Sequence, residues 1–268
     1  MEELHERIDS GACRVIAVIG AGGKTTVCRA LTRGLPGKNI YTTTTHMLRP
    51  NDLFCLDQRD AGEIAAALCT HGHIALCGAC AENNRDKVGA PSKAAYAEAC
   101  KLADHVIVEA DGARGRLLKV HDAHEPVIPD NADLVLCVAS CLSLGQPLMN
   151  AVHRPERIAD FFHKRPEDPV TEADIALALA APKKGDGRYL AVLNRADHAA
   201  AAARIGKLLF EGYGIGSVCI ASFGGGSGFG DADLGGDGLD RVFAGLLESA
   251  EHGHEHDGDE PARKAPVV

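Results

Sequence analysis

Residues 14–26 read RVIAVIGAGGKTT, and the rest of the chain is organised around them. Arg14 to Ile19 is a short β-branched apolar run, the pattern of a buried strand. Gly20, Ala21, Gly22 and Gly23 follow, then Lys24, Thr25 and Thr26, and after them the helix-like stretch VCRALTRGL. Strand, glycine turn and helix in that order build a phosphate cradle. Glycines let backbone N–H groups face inward with no Cβ in the way, and the helix N-terminus adds partial positive charge. Lys24 is expected as an exposed ammonium that reaches the β- and γ-phosphates, with the Thr25 hydroxyl on Mg²⁺. The spacing is G-x-x-G-K-T, since Val18 stands where the commoner G-x-x-x-x-G-K-[ST] loop has its first glycine. A nucleotide, ATP or GTP, with Mg²⁺ is the ligand this stretch points to.

Composition narrows the class. The chain has 268 residues, 46% hydrophobic and 24% charged, enough for a sizeable core. With no Trp and 4% aromatics, that core must rest on Ala, Val, Leu and Ile. A formal net charge of −9 argues against broad attraction to nucleic acid or anionic lipid, so phosphate chemistry has to be local. No stretch approaches the roughly 20 apolar residues of a membrane span, and no signal pattern precedes the first strand. Ten cysteines in that setting read as reduced thiols of a cytoplasmic protein. Half of them, Cys28, Cys69, Cys100, Cys137 and Cys219, lie in apolar patterns where Cys acts as a small hydrophobe.

Outward from the loop, strands and helices alternate. Strands are expected at 38–43, 73–77, 104–110, 133–139, 189–193 and 217–221. Helices are expected at 61–70, 91–103, throughout 153–182, from 198 to about 211, and at 239–251. This alternation predicts an α/β fold: a doubly wound, mainly parallel sheet with helices on both faces, a P-loop NTPase-like three-layer sandwich. Residues 1–251 are expected as one such domain with a helical insert at about 140–185. Residues 252–268, acidic and His-bearing with almost no apolar content, are expected as a disordered tail. Ligands of such sheets bind at the carboxyl ends of the strands, where the remaining motifs fall.

The strand at 104–110 ends in two carboxylates, Glu109 and Asp111, followed by Gly112. A strand-terminal Asp in P-loop proteins approaches Mg²⁺ opposite the loop threonine. Asp111 is therefore the metal candidate together with Thr25, and Lys24, Asp111 and Glu109 are the catalytic candidates. Arg114 and Arg116, just beyond, either meet γ-phosphate charge in cis or are solvated, and solvation is favoured. Asn194-Arg195-Ala196-Asp197 has the form of the N-K-x-D element with which GTPases read guanine, the Asn orienting the loop and the Asp accepting from the base. Asn194, Asp197 and Ser222 are the base-binding candidates, against the plainer reading of an Asx-rich helix cap. The run Thr42-Thr43-Thr44-Thr45-His46 ends a strand and offers hydroxyls to Mg²⁺ or phosphate as switch threonines do. Simple β-propensity is its alternative.

Taken in order, VIGAGGKTT, TTTTHM with Arg49-Pro50, EADGARGRLLK, HEPVIP and HRPE resemble the motifs of the YqeC family. The resemblance spans residues 14 to 222. It implies a nucleotide-binding accessory factor for a selenium-dependent molybdenum hydroxylase, its partners being that enzyme or its selenium-supplying factors. It also marks Thr43, Thr44, Thr45, His46, Asp111, Lys119, Glu125, His153 and Arg154 as family-motif positions, all but Asp111 being read as substrate or switch candidates. The loop spacing is at the same time that of Mur-type ligases, so an ATP-dependent ligase or kinase stands as an alternative. A nucleotide-dependent protein-binding switch with little turnover is another. Cys77-x-x-Cys80 has no second pair to close a zinc site, and His252, His254 and His256 read as a solvated tail.

Overall fold

The computed structural model describes residues 13–57, 60–81, 84–183, 188–195 and 199–221. The expected helix at 239–251, the tail at 252–268, Asp197 and Ser222 lie outside the described residues.

The elements run β1 (Val15–Gly20), α1 (Lys24–Gly34), β2 (Asn39–Thr43), β3 (His46–Leu48), β4 (Phe54–Asp57), α2 (Ala61–His71), β5 (His73–Cys77), β6 (Cys80–Ala81), β7 (Asn84–Gly89), α3 (Lys93–Leu102), β8 (His105–Glu109) and β9 (Leu118–Lys119). Then come β10 (Leu134–Ser140), α4 (Leu148–Ala151), β11 (Val152–His153), α5 (Ile158–Phe162), α6 (Glu172–Ala180), β12 (Tyr189–Asn194), α7 (Ala199–Tyr213) and β13 (Val218–Ala221). Eight strands form the main sheet in the order β13-β12-β10-β1-β8-β2-β5-β4. Every pairing within it is parallel. A parallel sheet is covered on both faces, which is why its strands read as unbroken apolar runs rather than alternating ones.

The register divides each strand between two layers. Ile16, Val18, Tyr41, Ala75, Cys77 and Ile107 point to one face and meet Val27, Cys28 and Leu31 of α1. Val15, Ile40, Ile74, Leu76, Val106 and Val108 point to the other, against Ile64 and Leu68 of α2 and Ala95 and Ala99 of α3. On that second face Ala17, Ile19, Cys137 and Leu193 pack on α5, α6 and α7. The expected three-layer, doubly wound architecture is thus the observed one.

The stretch 153–182 is not the continuous helix expected from its sequence. It holds β11, a 3-10 turn at Pro155–Arg157, the short α5 and the separate α6. Arg154 and His163 adopt positive φ of 72° and 56°, and Pro155, Pro166 and Pro169 interrupt helical pairing. Two small sheets, β3-β7-β6 and β9-β11, have no counterpart in the sequence expectations.

The chain leaves β1 toward β2, β4, β5 and β8 on one side, then crosses to β10 and β12 on the other. The glycine loop therefore sits at the point where strand order reverses, the place where such sheets open a ligand crevice. No helix among the described residues is long and apolar enough to cross a membrane.

Candidate functional site

The loop between β1 and α1 is built so that only glycine fits. Gly20 has φ 93°, and a Cβ there would lie 2.2 Å from the Val138 carbonyl oxygen. Gly23 has φ 128°, and its Cβ would lie 2.0 Å from Asn194 Nδ2. The Ala21 N–H donates to the Val138 carbonyl at 2.8 Å and the Gly22 N–H to the Arg116 carbonyl at 2.9 Å. Asn194 Nδ2 donates to the Gly22 carbonyl at 2.7 Å. Those two N–H groups anchor the loop, so the groups left to face an anion are the first N–H groups of α1. That helix has no side-chain cap at Gly23 and no acid in its first turn, an N-terminus suited to an anion.

Lys24 is not the exposed ammonium expected. It is 5% exposed, donates to the Gly20 carbonyl at 2.8 Å and stands 3.1 Å from Asp111 Oδ1. Placed at the first residue of α1, its stem folds back over the loop because a buried carboxylate lies within reach.

Asp111 occupies the centre beneath the loop. Its Oδ2 accepts from the Gly20 N–H at 2.9 Å, lies 2.7 Å from His121 Nε2 and 3.4 Å from Lys119 Nζ. Burial alone would raise its pKa; the His121 hydrogen bond and the charges of Lys24 and Lys119 outweigh it and hold the carboxyl at about 2. Asp111 is a fully buried anion that ties the loop to the segment carrying Lys119 and His121.

The carboxylate beside Thr25 is Glu109. Thr25 Oγ1 donates to Glu109 Oε2 at 3.1 Å, and Tyr41 OH donates to the same oxygen at 2.7 Å. The sequence reading pairs Thr25 with Asp111 as metal ligands; the carboxylate that Thr25 contacts is Glu109, two residues earlier. A hydroxyl and a carboxylate in contact are hard oxygen ligands of the kind Mg²⁺ takes alongside phosphate and water. Among the described residues there is no cluster of three or more His, Cys, Asp or Glu able to hold a metal ion. Cys77 is buried and Cys80 exposed.

The threonine run divides. Thr43 Oγ1 donates to the Glu109 carbonyl at 2.7 Å and accepts from the Thr45 N–H at 3.0 Å. Thr44 Oγ1 donates to the Val127 carbonyl at 2.6 Å. The Thr43 bond ties the end of β2 to β8, and the Thr44 bond ties the next residue to the segment at Val127. His46 instead opens β3, exposed, opposite Gly89 in the small antiparallel sheet.

The remaining motif residues form one group behind Asp111. Lys119 is 2% exposed, donates to the Gly112 carbonyl at 2.5 Å and pairs with Glu125 at 3.1 Å. Glu125 in turn pairs with Arg154 at 3.1 Å. His153 lies opposite Lys119 in the β9-β11 ladder. Burial first, then the charges of Lys119 and Arg154, lowers His153 to about 4, so the ring is neutral near pH 7. Asn194 closes β12 on the loop itself, while Thr26 continues the first turn of α1. Ala21 and Gly22 sit in the loop as expected. The sequence motifs single out neither Tyr41 nor His121. The signal for Tyr41 is a phenol in a buried strand, which needs a partner for its hydroxyl.

A glycine loop at the switch point of an all-parallel sheet, with Lys-Thr opening the helix behind it, places the molecule among the P-loop NTPase-like α/β proteins. The chain belongs to the YqeC family, whose model, described as YqeC protein, matches residues 16–156. "Uncharacterized protein YqeC" of Escherichia coli (strain K12) is 32% identical over 189 residues, 66% of this chain and 72% of that one. Among solved structures, HypB from Helicobacter pylori in complex with nickel is similar at 13% identity, with a TM-score of 0.34 and 82% of each chain covered.

Proposed function

We propose that the protein binds and hydrolyses a nucleoside triphosphate with Mg²⁺, as an accessory factor in maturing a selenium-dependent molybdenum hydroxylase or its selenium–molybdenum cofactor. The observation that carries the nucleotide part is the contact of Thr25 with Glu109 at the mouth of an uncapped helix whose first residue is Lys24. In this reading the N–H groups of α1 and the Lys24 ammonium hold the β- and γ-phosphates. Thr25 and Glu109 hold Mg²⁺, which would shield the phosphate charge. Asp111 is the anchor from which Lys24 turns to the phosphate, and the Lys119–Glu125–Arg154 group lies on the acceptor or switch side. The maturation role rests on family membership and the motifs that carry it.

GTP is favoured over ATP by one contact: Asn194 reaches the phosphate loop through the Gly22 carbonyl at 2.7 Å, the tie a guanine-reading element makes to its loop. Asp197 would then accept from guanine, with Ser222 on the adjacent loop. A thermal-shift panel of ATP, GTP and XTP with Mg²⁺ tests the reading. GTP alone should stabilise the wild type, and Asp197→Asn should move the preference toward XTP. Stabilisation by ATP with release of ADP only when an acceptor is added would instead identify a ligase or kinase. No stabilisation by any Mg²⁺–nucleotide would refute the phosphate site.

A further inference from the structure

The turn just after Asp111 places an arginine beside the phosphate loop. Ala113 to Arg116 form a tight turn, closed by the Arg116 N–H on the Ala113 carbonyl at 3.0 Å. Its two central residues both have positive φ, 48° at Arg114 and 73° at Gly115. Such a turn prefers Asn or Gly at its first central position, because an L side chain there crowds the backbone. Arg114 is a left-handed residue where a less strained choice exists, and strain of this kind clusters at functional sites.

Both ends of the turn are fastened to the glycine loop. Asp111 accepts from the Gly20 N–H at 2.9 Å, and the Arg116 carbonyl accepts from the Gly22 N–H at 2.9 Å. Arg116 is itself occupied, donating to the Asn150 carbonyl. Arg114 is exposed, and among the described residues its guanidinium takes part in no hydrogen bond or ion pair. A Cβ built on Gly112 would meet nothing within 4 Å, so there is open space at the residue between Asp111 and the turn. The Arg114 charge is nonetheless felt at His153, which sets it on the side where Lys119 and Arg154 lie. A fixed backbone, an uncommitted guanidinium and open space next to a phosphate cradle are what a charge clamp on a terminal phosphate requires.

We propose that Arg114 is a catalytic residue that contacts the γ-phosphate of the bound triphosphate in cis. The sequence leaves it between this role and a solvated surface charge, with solvation favoured. The inference rests on the Mg²⁺–nucleotide reading above. In hydrolysis, water adds to the γ-phosphorus while the bond to the β,γ-bridging oxygen breaks, giving the diphosphate, inorganic phosphate and a proton. The guanidinium offsets the charge gathered on the transferring group and the bridging oxygen.

The test compares wild type with Arg114→Ala and Arg114→Gly, the second relieving the positive φ so that folding is kept. Calorimetry with Mg²⁺ measures Kd for the nucleoside diphosphate and for its β,γ-imido triphosphate analogue. Wild type should prefer the triphosphate analogue. Both variants should lose that preference by about tenfold or more, leave diphosphate affinity within about twofold, and fail to trap the Mg²⁺–diphosphate–aluminium fluoride complex. Where wild type turns over, hydrolysis should fall by at least about 100-fold. Variants that keep the wild-type preference and the trapped complex overturn the assignment while leaving the nucleotide site standing, as does a wild type without γ-phosphate preference. A wild type that binds no nucleotide refutes the underlying site and this inference with it.

Discussion

Replacing Asp111 by Asn leaves the shape beneath the loop and removes the charge. Lys24 and Lys119, 5% and 2% exposed, then lose their shared counter-ion. Breaking a buried ion pair costs about 3–5 kcal/mol. The lower end applies here, because the Gly20 carbonyl still holds Lys24 and Glu125 still holds Lys119. The loss should be about 3 kcal/mol at neutral pH. The pH dependence is a second signature. The carboxyl falls from 3.8 to about 2 on folding, which at about 1.4 kcal/mol for each pH unit is about 2.4 kcal/mol. A depressed carboxyl stabilises fully above its unfolded pKa and loses that contribution as pH falls through the folded one. The gap between wild type and Asp111→Asn should therefore be constant above about pH 5 and close by about 2 kcal/mol between about pH 4 and 2. Urea unfolding of both proteins across that range measures it. Parallel stability profiles down to about pH 2, or a neutral-pH loss under about 1 kcal/mol, would show that Asp111 is not the charged hub of the loop.

Lys24→Ala should abolish Mg²⁺–nucleotide binding. Because the ammonium is buried against Asp111, the variant should also lose about 2–3 kcal/mol in urea unfolding, where an exposed lysine would lose nothing measurable. Tyr41→Phe removes one of two hydroxyls on Glu109 Oε2. It should weaken Mg²⁺-dependent nucleotide binding about 10–100-fold with binding in EDTA unchanged, and equal losses in both conditions would make the bond purely structural. Gly23→Ala should lose nucleotide affinity and melt at a lower temperature, since its Cβ would sit 2.0 Å from Asn194 Nδ2; wild-type affinity would show that the loop relaxes freely. The His153 ring should titrate by NMR with a midpoint near 4, and a midpoint near about 6.5 would place it in open solvent.

The fold was legible because its signals are local. A buried parallel strand is an apolar run, and β5, expected at 73–77, is observed as His73–Cys77. The P-loop spacing is likewise a contiguous string, and Gly20, Gly22 and Gly23 owe their identity to close backbone approaches at that string. Residues 153–182 mislead because Ile158, Phe162, Ile175 and Leu179 do supply helical apolar periodicity. The left-handed Arg154 and His163 that help break the run leave no pattern of their own, whereas Pro155, Pro166 and Pro169, which also break it, are legible in the sequence.

The different surroundings of Glu109 and Asp111 show where the sequence stops. The sequence puts both carboxylates at the end of one strand, where residues two apart share a face, so side-chain alternation cannot separate them. What separates them is the company each finds across the sheet. Glu109 ends β8 opposite Thr43 of β2 and within reach of Tyr41, which turns its carboxylate to the hydroxyl of Thr25. Asp111 has already left the ladder and meets Lys119 and His121, contributed by a segment eight to ten residues downstream that folds back under the loop. With two cations and an imidazole around it, Asp111 is neutralised by the protein itself, whereas among the described residues the Glu109 carboxylate is met by the neutral hydroxyls of Thr25 and Tyr41. Under the proposed nucleotide reading Mg²⁺ would go to the carboxylate whose charge is left over, which is Glu109, while Asp111 holds Lys24.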